Sequence, residues 1–138
     1  MIEPSLEYWN ALANQLLIIS SLLGGFSIAV LATLMMNKSE EKVISYLFRA
    51  STLAAGCFLA CIFSMTKIFM MTTKGYPLPF TMSDLHTPRA VGGVLFMIGI
   101  ICLSVVISLS GWVRSRGAGR FTTVVGVITF LIVCWMLT

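Results

Sequence analysis

WNALANQLLIISSLLGGFSIAVLATLMM, Trp9 to Met36, carries no ionisable side chain from end to end. Crossing the hydrocarbon core of a bilayer takes about 20 consecutive, mostly apolar residues in an α-helix. A surface helix of a soluble protein would instead carry charged residues along one face. The stretch is therefore read as a membrane span, and the rest of the chain is read outward from it.

Three more stretches meet the same criterion: Val43–Thr73, with Arg49 near its start and Lys67 near its end; Pro88–Val113; and Phe121–Thr138. None shows the period-two alternation of barrel strands. Continuous helices satisfy every backbone group without water. The expected fold is an all-α membrane protein, a four-transmembrane-helix bundle forming one domain over 1–138. Composition points the same way: 58% of the 138 residues are hydrophobic, 10% are charged, and the mean hydropathy is +0.98. Soluble domains devote about 25% of their residues to charge. A water-soluble enzyme, a disordered tail and a nucleic-acid module are thereby excluded. Four cysteines in 138 residues do not make a secreted disulfide scaffold. Glu3 and Glu7 stand where a cleaved signal peptide carries Lys or Arg, so Met1–Thr138 is expected to be mature chain.

The connections are short. Asn37–Lys42 reads as a tight turn, with Ser39 as N-cap and Glu40 and Glu41 in the positive first turn of the second helix. Arg114–Arg120 reads as another, made permissive by Gly117 and Gly119. Lys74–Thr87 is longer and carries Pro77 and Pro79, and Thr87-Pro88 reads as an N-cap followed by proline at the first helical position.

Spans alternate sides, so both short turns share one face. Lys38, Lys42, Arg49, Arg114, Arg116 and Arg120 belong to that face; Lys67, Lys74 and Arg89 belong to the other. Basic residues near short loops set topology. The short turns are expected in the cytoplasm, with both termini outside, in a bacterial inner membrane. The net charge of +4 then reflects contact with anionic headgroups, not nucleic acid.

Two residue patterns are candidates for function. The first is small residues at four-residue spacing: Ser21, Gly25 and Ala29 beside Gly24 on helix 1, and Gly56 and Ala60 on helix 2. Such stripes let helix backbones approach closely, within one bundle or between subunits. The second is a polar face on helix 2 through Arg49, Thr52, Ser64 and Lys67, joined at the outer end of helix 1 by Asn14. Intramembrane charges mark paths or binding sites, unless they snorkel to the interface. A cationic face of this kind suits an anion path or lipid headgroups.

Reactive constellations are not found. No acid lies within a span, and His86 is the only histidine. Asp84 and His86 read as capping an interfacial turn, since no nucleophile accompanies them. Cys57 and Cys61 are four apart, not in a Cys-x-x-Cys motif, and read with Cys102 and Cys134 as small apolar residues. The nine methionines read as core and lipid-facing filler. Tyr8, Trp9, Tyr46, Tyr76, Trp112 and Trp135 form an interfacial aromatic belt. No catalytic residue, cofactor or metal is expected.

The run LLGGFSIAVLATLMM, Leu22–Met36, resembles the first span of Orai-type calcium channels, and GGVLFMIGI, Gly92–Ile100, is compatible with their four-span plan. The resemblance implies an oligomeric assembly with helix 1 or 2 near its axis. It carries over no site residue: the selectivity glutamate has no counterpart here, Glu3 and Glu7 replace the basic stretch before the span, and the expected orientation is opposite. In size and plainness the chain is also similar to small four-span bacterial phage-defence proteins that perturb membranes as oligomers. The expected function is a small oligomeric pore, ion channel or membrane-perturbing component whose partners are the bilayer and further copies of itself. The alternative is a non-catalytic anchor or assembly subunit of a larger membrane complex. A lipid-modifying enzyme ranks last.

Overall fold

The computed structural model describes residues 5–36, 41–74, 76–77 and 82–137. Four long helices account for nearly all of them: α1 (Leu6–Met36), α2 (Lys42–Thr72), α3 (His86–Ser110) and α4 (Arg116–Leu137). Short 3-10 turns, Met82–Leu85 and Gly111–Val113, lead into α3 and out of it. No strand occurs among the described residues. All four helical segments are long and apolar enough to cross a membrane, as an integral membrane protein requires.

Three boundaries differ from expectation. α4 starts at Arg116, not Phe121, so the turn is Gly111–Ser115 and Gly117 and Gly119 belong to the helix. The cause is Ser115, whose hydroxyl accepts the Ala118 N–H at 3.2 Å while its carbonyl accepts the Gly119 N–H at 2.9 Å. That is an N-cap, and it starts the helix one turn earlier than hydropathy suggests. α3 starts at His86, with Leu85 as N-cap, so Thr87 is not the cap and Pro88 is the third helical residue. Proline is tolerated there because first-turn N–H groups have no intrahelical partner to lose. α1 begins at Leu6, ahead of Trp9. The expected cap at Ser39 lies outside the described residues; Glu41 is the N-cap of α2, in extended backbone and without a side-chain bond.

The helices are antiparallel and pack extensively in chain order, α1 on α2, α2 on α3 and α3 on α4. α2 is the central member: 33% of its spanning window is buried, against 11% for α4. One side chain sets the register of three helices. Phe58 of α2 is fully buried, with Gly24 of α1 on one side and Gly99 of α3 on the other. A Cβ at Gly24 would lie 3.3 Å from the Phe58 Cβ, and one at Gly99 would lie 2.8 Å from the ring. Gly99 admits the ring, and Gly24 lets α1 sit against its Cβ. Phe96 meets it edge-on, with centroids 6.2 Å apart. One step along, Gly92 makes room for Met65 in the same way.

Polar contacts reinforce the pairs. Ser20 donates to the Cys61 sulfur at 3.4 Å. The Asn10 amide reaches the Thr72 hydroxyl at 2.9 Å and the Phe69 carbonyl at 3.3 Å, tying the start of α1 to the end of α2. Arg89 of α3 lies 4.2 Å from the Trp9 ring centroid, a cation–π contact joining α1 to α3 at the same end. On the other side of the molecule the Thr122 and Thr123 hydroxyls lie 3.1 and 3.3 Å from the Ser108 carbonyl, and Gly126 lets α4 approach Ser108.

Candidate functional site

α1 turns its small residues in two directions. Ala13, Ser20, Gly24 and Ser27 are buried against the protein. Ser21 and Gly25, each one position further along, and Ala29 are exposed. Gly25 has nothing within 4 Å of where its Cβ would be. The adjacent glycines thus differ completely: Gly24 admits Phe58, and Gly25 serves no contact in the protomer. Asn14 shares the exposed face with Ser21 and Gly25, and neither Asn14 nor the exposed Gln15 is tied by a hydrogen bond among the described residues. Ser21 and Thr33 return their hydroxyl protons to the carbonyls of Leu17 and Ala29. The outer face of α1 therefore carries Glu7 and Asn14 at one end and, further along, the small residues Ser21, Gly25 and Ala29 among exposed apolar side chains.

α2 likewise presents Arg49, Thr52, Gly56, Ala60 and Lys67 outward. Gly56 also has open space at its Cβ position. Ser64, grouped with them in the sequence reading, turns instead toward α3, where it meets Gly92. Of the expected polar path, Arg49 and Thr52 lie together one turn apart, Lys67 lies far along the same face, and Asn14 belongs to another helix. Thr52 donates to the Phe48 carbonyl at 2.8 Å, which leaves its hydroxyl as an acceptor only.

Arg49 has the most distinctive surroundings. Two open grooves run beside it between α2 and α3. One, of about 400 Å³, is lined by Tyr46, Ala50, Cys102 and Val105; the other, of about 430 Å³, by Phe48, Thr52, Gly56 and Leu95. Arg49 and Leu53 line both. No ion pair or hydrogen bond holds the guanidinium among the described residues. Its neighbours in the grooves are almost wholly apolar, so the arrangement is a cation over a greasy bed, not a water-lined path. Lys67 lines neither groove.

Sequence reasoning missed the Arg89–Trp9 contact and the Ser115 cap. Ser115 had a local signal, its position three residues before Ala118. The Arg89–Trp9 contact needs the pairing of helices to be known. Among the described residues, no three metal-ligating side chains converge, and the four cysteines are free thiols. Comparison with known protein families, known proteins and solved structures finds no match.

Proposed function

We propose that the chain is the subunit of a homo-oligomeric membrane assembly, with α1 packed around the assembly axis and its outer face forming a pore or a membrane-perturbing seam. The observation that supports this most is the pair Gly24 and Gly25. A glycine inside a helix costs stability relative to alanine, and Gly24 has an internal reason to be there while Gly25 has none in the protomer. Small residues in membrane helices serve close approach of backbones. The exposed Asn14 and Gln15 amides add interhelical hydrogen-bond capacity at one end of the same helix, where a lipid neighbour would leave them unsatisfied. Beyond Glu7 in its first turn the face bears no charge, which suits assembly around a narrow axis better than ion-coupled transport. In this reading the short-turn end, with Lys42, Arg114, Arg116 and Arg120, faces the cytoplasm of an inner membrane, and an axial α1 is the placement that the Orai-type resemblance implies.

The test is mass determination in detergent followed by conductance in planar bilayers. A defined homo-oligomer that conducts, and a Gly25→Leu variant that falls to smaller species and loses conductance, are the expected results. A folded monomer would overturn the assembly, and a well-folded but silent oligomer would overturn the pore.

A further inference from the structure

We propose that Arg49 and the two grooves beside it form a binding site for one anionic diacyl lipid of the leaflet on the short-turn side. The site does not rest on the assembly proposed above, because every residue in it belongs to one protomer.

Three observations converge. The first is charge. Arg49 is exposed, it has no acidic partner among the described residues, and Lys42, Arg114 and Arg116 lie at the same end of the molecule. A guanidinium is a planar fork that holds phosphate oxygens two at a time. The second is number. Two apolar grooves meet beneath one cation, divided by Leu53 one turn below it. One phosphate with two acyl chains has that form, whereas a soluble anion has no use for either groove. The third is depth. One groove follows α2 from Phe48 to Cys57, about 14 Å of helix rise, and the other follows it from Tyr46 to Leu53, about 11 Å. Both fit within one leaflet, half of a hydrocarbon core of about 30 Å. Gly56 and Cys57, small residues at the lower end, leave room for a chain to lie against the helix. Lys67, on the same face, lines neither of these grooves. Snorkelling alone would account for a charge at either position, but not for the paired grooves beside Arg49.

The test uses the whole protein in phosphatidylcholine vesicles doped with spin-labelled phosphatidylglycerol or spin-labelled phosphatidylcholine, reading the motionally restricted fraction of each. An anionic lipid near one basic residue gains enough for about a fivefold preference. The wild type is expected to hold the anionic label about fivefold over the zwitterionic one. Arg49→Ala should bring that ratio close to one, while Arg120→Ala leaves it near the wild-type value. Leu53→Trp, which fills both grooves and keeps the charge, should reduce the restricted fraction of either label; it keeps the proposal falsifiable should Arg49→Ala fail to fold. An unchanged ratio in Arg49→Ala, equal losses in Arg49→Ala and Arg120→Ala, or an unchanged restricted fraction in Leu53→Trp would each overturn the site. So would abolition of the preference by millimolar inorganic phosphate at constant ionic strength, since the cation would then be reading a free anion.

Discussion

Phe58 shows what holds this protein together at the level of single side chains. Between membrane helices the hydrophobic effect gives little, because lipid is as apolar as the helix surface, and close packing carries the association. Glycine meets this side chain on two sides, Gly99 at the ring and Gly24 at the Cβ, so any side chain at Gly99 must displace the ring. Gly99→Leu should destabilise the protomer by about 1–3 kcal/mol, the usual range for overpacking a filled site, measured as the unfolding midpoint in mixed micelles titrated with sodium dodecyl sulfate. Ser51 provides the opposite case. Its hydroxyl is buried without a hydrogen-bond partner among the described residues, and a buried polar group so placed contributes nothing to offset its desolvation. Ser51→Ala should therefore leave the same midpoint unchanged or slightly higher; a clear loss would mean that the hydroxyl has a partner in the membrane. The sequence shows that small residues abound on α1 and α2 but not which way each faces. Gly24 and Gly25 are chemically identical neighbours 100° apart around the helix, and only the position of Phe58 on another element separates their roles.

At the scale of elements, the four helices were legible because hydropathy dominates every other signal in spans this apolar. Their ends were less so, because ends are set by caps and not by hydropathy. α4 is the example: a serine and two glycines looked like a loop, yet the Ser115 hydroxyl starts a helix through them. Losing that cap should cost about 1 kcal/mol, so Ser115→Ala is expected to speed amide hydrogen exchange at Ala118 and Gly119 while leaving exchange in α2 untouched. α4 is also the least buried helix. Its attachment rests on Gly126, on the threonine pair at Ser108, and on Trp112, which lies across Gly119 and donates to the Thr123 hydroxyl at 3.1 Å. Trp112→Ala should let α4 separate from α3, read as lost protection of α4 alone against membrane-active labelling reagents. The polar face of α2 was legible as a spacing, and Arg49, Thr52 and Lys67 do share it. Ser64 was misplaced because 15 residues leave it about 60° round the helix from Arg49, enough to meet α3, whereas 18 residues bring Lys67 back into line.

The molecule as a whole exposes 9510 Å², where a compact soluble chain of 15.1 kDa would expose about 7,100 Å². The surplus follows from packing in chain order: α2 is flanked on two sides, while α1 and α4 each keep a broad free face. Such a protomer suits a bilayer, and it leaves α1 available to further copies. Gly25→Leu should then change mass in detergent without shifting the unfolding midpoint, and Gly24→Leu should lower the midpoint; equal effects of the two variants would erase the distinction between inner and outer stripes. Packing in chain order also bears on how the protein is made. A nascent helix entering the bilayer finds its main partner already there, since that partner was synthesised immediately before it. Each helix packs mainly on its neighbour in the chain, and the Arg89–Trp9 contact ties α3 back to α1. Assembly can advance with synthesis, one hairpin at a time, and a ribosome that stops after α3 leaves a unit whose central core, around Phe58, is already closed.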